Sequence, residues 1–296
     1  NNLLFMGILI VCFWGVNFPL LSELVTGQKV TVGPPFYLRA TGPLWAALLL
    51  LMGVAPLTGW TIASADRLGK TLWKPTVLSM ITPIAVAISG NRNIPALLGF
   101  WLITLVILVT LFEYWRGVRA RAHSTGENFL TSLWNLTGKN RRRYGGYIIH
   151  LGVVLMGIGI IGIELFQTET HGTLTPGEEL RVSDYAVSYK ELAEFDAPDG
   201  RNVARAVLNV SKNGKPIGEL YPRRDFFYDA QQTMTIPGVR STMEDDLYVI
   251  LVDWQPISTR MATFKVYHNP LVNWLWVGSL VLIFGSLIAV WPNRED

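Results

Sequence analysis

Cysteine is almost missing from this chain. Its 296 residues hold one, Cys12, inside an apolar run. That excludes an internal disulfide, and with no CxxC pair a thiol-exchange centre or a structural zinc site is poorly supported. Charge is scarce as well: 16% of residues are Asp, Glu, Lys or Arg, against about 25% in soluble globular domains. The formal charge of +3 is modest and matters less than where the bases sit. Also lacking are an initiator methionine and a charged stretch ahead of the first apolar run. The chain therefore reads as a fragment, or one piece of a split protein, with no signal peptide of its own.

Apolar residues are what the chain has in quantity, 50% of it, with 11 tryptophans and a mean hydropathy of +0.31. Six candidate membrane spans follow, at about 3–22, 41–60, 75–90, 94–115, 144–166 and 271–291, near the roughly 20 residues that a hydrocarbon core requires. The third is the weakest. It contains Pro75 and Pro83, so it is expected either to kink or to pair with the fourth through the turn Ser89-Gly90-Asn91-Arg92-Asn93.

Orientation comes from the bases. Arg116, Arg119, Arg121, Lys139, Arg141, Arg142 and Arg143 crowd the loop 116–143, which places it in the cytoplasm. Alternation then puts 61–74, with Arg67, Lys70 and Lys74, and both chain ends inside. Segments 23–40, 89–93 and 167–268 face outward. Trp60, Trp73, Trp115, Trp274, Trp276 and Trp291 fall near span ends, where interfacial anchors are found. A nucleic-acid or lipid patch is another reading of the basic loop, but topology alone accounts for the charge. The expected contact is therefore the membrane and not nucleic acid.

Residues 167–268 have another character. Alternating or β-rich runs at about 179–184, 186–192, 203–211, 217–221, 232–236, 246–252 and 259–267 are broken by Pro176-Gly177, Pro198-Asp199-Gly200, Asn213-Gly214 and Pro237-Gly238. This predicts a small antiparallel β-domain, with its clearest hairpin at Asn213-Gly214, a type I′ pair. The fold class is thus an α-helical polytopic membrane protein of about six transmembrane helices. An extracytoplasmic β-rich domain is inserted between the last two. Three parts result: 1–166 with its basic loop, 167–268, and a last helix with a cytoplasmic tail at 269–296.

The stretch Arg141-Arg142-Arg143-Tyr144-Gly145-Gly146-Tyr147-Ile148-Ile149-His150-Leu151-Gly152 carries a histidine into the fifth span. An ionisable side chain at that depth is costly without a partner, and neutral imidazole is a common metal ligand. A histidine there can equally hydrogen-bond across a helix interface. Gly146, Val153 and Gly157 fall on the His150 face, leaving room for something bulky such as haem. Gly145, Gly152 and Gly159 recur every seven residues on a neighbouring face and predict a close helix contact. In the β-domain, Arg223 and Arg224 beside Tyr221, Phe226, Phe227 and Tyr228 could grip an anion such as a haem propionate, or form an exposed loop. His171 and His268 bracket the domain and are expected to be solvated more often than liganded.

The run Arg141 to Gly162 closely resembles the histidine-bearing helix of the CcmF family of cytochrome c maturation proteins. Gly27 to Tyr37, Met243 to Val249 and Asn269 to Trp274 fit the same family in the same order, so the resemblance covers essentially the whole chain but only the family's carboxyl-terminal half. It implies a haem lyase component of the bacterial inner membrane, with the β-domain in the periplasm or cell exterior. Such a protein takes haem from the chaperone CcmE, works with CcmH and CcmI, and supports attachment to the Cys-x-x-Cys-His thiols of apocytochrome c. It also implies a b-type haem with His150 as axial ligand and metal-binding residue, Gly146 and Gly157 on the haem-facing surface, and quinol as reductant. The family's first membrane histidine and its W-G-x-x-W-x-W-D string have no counterpart here. The chain alone is therefore expected to complete neither haem site and to need the other half for lyase activity. A non-catalytic scaffold of the maturation complex remains the main alternative. A haem transporter is less favoured, because no internal repeat is visible.

Overall fold

The computed structural model describes residues 1–57, 65–254 and 261–292. Eight α-helices and ten strands occur among them. The helices are α1 (Asn2–Thr26), α2 (Pro34–Val54), α3 (Ala65–Ser79), α4 (Ile81–Ile88), α5 (Ile94–Thr125), α6 (Phe129–Lys139), α7 (Arg141–Phe166) and, after the strands, α8 (Asn273–Val290). Six segments are long and apolar enough to cross a membrane: Asn2–Thr26, Pro34–Leu57, Gly69–Ile88, Ile94–Thr125, Arg141–Phe166 and Asn273–Val290. The end of the expected second span, 58–60, lies outside the described residues.

Local chemistry explains where these helices begin and end. α1 stops at Gly27, whose φ of 69° is the left-handed value that favours glycine. α2 starts earlier than its apolar run because Pro34 and Pro35 occupy the first helical positions, where a missing N–H costs nothing. The third span both breaks and pairs. Pro83 has no N–H for the carbonyl of Ser79 and crowds it, and the helix is interrupted at Met80. The Thr104 hydroxyl of α5 then donates to Thr82 at 2.9 Å. α5 runs to Thr125, well past its apolar stretch, and closes at Gly126 (φ 72°).

Two compact units are present, 1–157 with 278–296, and 158–277. In the first, α5 supplies the core: Leu102, Ile103, Leu105, Val106 and Val109 are almost fully buried. Small residues let other helices approach it. A Cβ on Gly53 of α2 would sit 3.5 Å from Leu105 and Val106, and one on Gly157 of α7 would sit 3.2 Å from Ile103 Cδ1. The expected glycine seam on α7 faces α8. Added Cβ atoms at Gly145 and Gly152 would come within 2.7 Å of Ala289 N and 2.6 Å of Leu282 N. Those at Gly278 and Gly285 of α8 would come within 2.5 Å of Met156 N and 2.7 Å of Ile149 N. Backbone meets backbone from both sides, the contact that small residues permit in apolar surroundings.

The second unit holds a β-sandwich. Its strands are β1 (Thr168–Leu174), β2 (Glu179–Val182), β3 (Tyr185–Asp196), β4 (Arg201–Lys212), β5 (Lys215–Leu220), β6 (Arg223–Phe227), β7 (Gln232–Ile236), β8 (Gly238–Ser241), β9 (Asp245–Trp254) and β10 (Ala262–Pro270). One sheet has the order β1-β10-β9-β8 and the other β2-β3-β4-β6-β7, with β5 also paired to β4. Alternate residues, among them Val187, Tyr189, Leu208, Val249 and Phe264, fill the space between the sheets. The β4–β5 hairpin turns on Asn213 (φ 51°) and Gly214 (φ 75°), the positive pair that a type I′ turn needs. Three strands were not read from the sequence: polar β1, the Arg-rich β6 and the four-residue β8. β1 is completed by its pairing with β10, Thr168 opposite His268 through Leu174 opposite Ala262.

Replacing Gly152 with Leu should push α7 from α8, because the obstructing atoms are backbone. The expected loss is roughly 1–3 kcal/mol, read as a lower thermal midpoint of the purified chain in detergent. Gly146→Ala has open space around it and should leave that midpoint unchanged.

Candidate functional site

α7 carries His150 three residues after Tyr147, and the two rings pack at 6.4 Å between centroids. The His150 Nδ1 atom is shut away from solvent without a hydrogen-bond partner among the described residues. A buried imidazole nitrogen left in that condition costs free energy, unlike the paired histidine that an ordinary helix contact would give. On the same face nothing stands within 4 Å of a Cβ built on Gly146, whereas Gly157 is occupied by its contact with Ile103.

One turn and more before His150 lies a charged aromatic group. Glu113 of α5 is 2% exposed and is held by Arg116 Nη2 at 2.9 Å and Arg143 Nη2 at 3.3 Å. Arg143 Nε donates to the Tyr147 hydroxyl at 3.1 Å, and the guanidinium also lies over the rings of Tyr144 and Tyr147. The Tyr114 hydroxyl donates to the Tyr144 carbonyl at 2.7 Å. α5 and α7 are thereby fixed in register beneath His150, and Tyr147 limits how its imidazole can turn.

The two arginines of β6 are not brought together. Successive residues of a strand face opposite ways. Arg223 Nε pairs at 3.3 Å with Asp225, which is fully buried and also takes Arg201 Nη1 at 2.6 Å. Arg224 lies over the Trp254 ring, donates to the Val252 carbonyl, and lines an open concavity of about 340 Å³ with Glu194, Phe226, Tyr228 and Asp253. A single anion is not gripped by both. His171 is exposed on β1.

His268, by contrast, is buried and belongs to a network missed from the sequence. Asp245 on β9 accepts from the Tyr185 hydroxyl of β3 at 2.7 Å and from Lys212 Nζ of β4 at 3.0 Å. The Thr242 hydroxyl is at 3.1 Å and His268 Nε2 at 3.1 Å. Burial by itself would raise this carboxyl, but the hydrogen bonds from Tyr185, Lys212 and His268 and the Lys212 charge hold it down to about 2. Lys212 is pushed above its ordinary value, burial being outweighed by its bonds to Asp245 and Tyr185. Asp184, Asp245 and His268 could group around a metal ion. However, Lys212 Nζ already sits 3.7 Å from Asp184 and 3.5 Å from Glu244 as well, so an ammonium fills the cation's place and ties the two sheets together. The signal was phase: Asp245 alternates with Leu247, Val249 and Leu251, and His268 with Phe264 and Val266, so both fall at core positions.

Comparison with known proteins matches this architecture. A domain family described as the CcmF C-terminal beta-sandwich covers residues 165–270. The cytochrome c-type biogenesis protein CcmF of Pseudomonas fluorescens is 26% identical over 99% of the chain. CycK of Bradyrhizobium diazoefficiens is 27% identical over 99%. The chain is similar to the carboxyl-terminal half of the CcmF proteins. It spans 43% of the first relative's length and 44% of the second's. A solved structure titled Cytochrome c Heme Lyase CcmF superposes with a TM-score of 0.78 at 24% identity, over 98% of this chain and 44% of that one. The CcmF fold is therefore present, six apolar helices and a β-sandwich between the last two.

Asp245 should govern the acid stability of the sandwich. Its folded pKa lies below the unfolded value of about 3.9, so its contribution is complete above that pH and disappears as pH falls through about 2, on the order of 2 kcal/mol. Asp245→Asn should remove it at neutral pH and take from Lys212 its nearest carboxylate, at a cost of roughly 3 kcal/mol. Amide hydrogen exchange in β9 and β10 measures both. Equal protection in the variant and the parent at pH 6 would refute the assignment.

Proposed function

We propose that the chain serves cytochrome c maturation as the carboxyl-terminal part of a membrane haem lyase. That protein would accept haem from CcmE, act beside CcmH and CcmI, and support its attachment to apocytochrome c thiols. The carrying observation is His150, an apolar-helix imidazole with an orphaned buried nitrogen and an open surface over Gly146, in a chain that aligns over 99% of its own length with 43% of a cytochrome c-type biogenesis protein. These residues fit an axial ligand to b-type haem. Such a haem would supply reducing equivalents at a potential set by its axial ligands and burial.

The chain's own part is to hold and orient. α7 presents His150 from a backbone locked on α8 by glycine contacts and on α5 by the Glu113–Arg143 pair. Tyr147 restricts the ring. A metal takes the neutral imidazole through a ring nitrogen. The β-domain, on the outer side of the bacterial inner membrane, would meet the chaperone and the apocytochrome, and a quinol in the bilayer would provide the electrons.

With an amino-terminal segment supplying the rest of the relatives' length, His150→Ala should abolish the b-haem absorbance per protein, while His171→Ala should retain it. Unchanged absorbance in the His150 variant would sink the ligand assignment. For the topology, alkaline phosphatase fused near Gly200 should be active and near Gly126 silent; the reverse pattern would place the sandwich in the cytoplasm.

A further inference from the structure

We propose that α6 is an interfacial anchor, lying against the anionic lipid headgroups on the base-rich side of the membrane. Its position comes from α5. The Phe129 ring packs on Trp115 at 5.6 Å, and Leu136 reaches within 3.0 Å of a Cβ built on Gly117. Glu127, just before the helix, is gripped by Arg121 at 2.9 and 3.0 Å and by Asn135 at 3.0 Å. α6 therefore lies across α5 between Trp115 and Arg121. That span ends at Trp115, so at 1.5 Å per residue α6 sits within about 9 Å of the hydrocarbon edge. The headgroup layer is roughly 5–8 Å deep on each side.

The helix's own surface fits that depth. Phe129, Leu130 and Trp134 are 46%, 74% and 67% exposed, with Leu130 and Trp134 one turn apart. The opposite position, Ser132, is buried against the protein, and Gly138 closes the stripe one turn after Trp134. The parts of α5 and α7 that adjoin α6 in sequence carry Arg116, Arg119 and Arg142, all exposed. An amphipathic helix with a Trp- and Leu-bearing face and a basic surround binds membranes by apolar burial plus attraction to acidic lipid. The helix start is held in place independently, since the Asn128 side chain accepts from Thr131 N at 2.8 Å.

The test places a nitroxide at Leu130→Cys or, separately, at Trp134→Cys in a Cys12→Ser background. The whole chain is then set in nanodiscs of phosphatidylglycerol or of phosphatidylcholine. Collision with oxygen should exceed collision with a water-soluble nickel chelate at both sites, and the reverse should hold for a label at Ser124→Cys. In phosphatidylcholine, or with Arg119→Gln and Arg142→Gln, the labels should become more accessible to nickel. Preferential nickel access in both lipids would overturn the proposal. Screening from both reagents would mean a protein surface or a second copy covers the stripe, and would overturn it too. Equal depth in the two lipids would refute the part played by acidic headgroups.

Discussion

The backbone contact between α7 and α8 is the constraint on which the placement of His150 depends. Within a bilayer the hydrophobic effect does not drive helices together, since lipid chains are as apolar as side chains. Association must come from close packing. Here Gly145 and Gly152 on one helix, and Gly278 and Gly285 on the other, bring peptide groups into direct contact. The same two helices flank the sandwich in sequence, and one of them carries His150. A bulky residue anywhere on the seam would therefore be felt at the imidazole.

Polar groups are handled by different means in the two units. In the β-domain the deepest charges are neutralised in place: Asp245 by Lys212 and its hydroxyl donors, Asp225 by Arg201 and Arg223. Among the helices Glu113 is treated likewise. Glu113 Oε1, Asp225 Oδ1 and His150 Nδ1 each remain without a hydrogen-bond partner among the described residues. Both carboxylates have arginines beside them, whereas the imidazole nitrogen is a place where a ligand can bind.

Much of this was legible in the residues. Length and hydropathy give the six spans, the heptad spacing of glycines gives the α7 seam, and Asn213-Gly214 gives its hairpin. Helix limits were read less well, because Pro34-Pro35 and the polar arm of α5 carry no hydrophobic signal. Strand β6 was hidden by its charges: Arg223 pairs with Asp225 two residues on, and Arg224 stacks on Trp254, a distant partner that no local pattern reveals. His268 looked like a solvated histidine until its phase with Phe264 and Val266 was considered. Asp245, inside Glu244-Asp245-Asp246, looked like part of a charged turn, and its neighbours come from strands far apart in the chain.

The pairing of β1 with β10 also sets an order of events during synthesis. Thr168 and His268 are partners although about a hundred residues separate them, and such distant contacts form slowly. At translation rates of roughly 5–20 residues per second, β1 waits several seconds for its neighbour while its backbone edge stays open. β3, β4 and β5 can pair as soon as they emerge. The first strand of the sandwich is thus among the last to be secured. During that interval the nascent chain offers an unpaired edge to any extended peptide nearby.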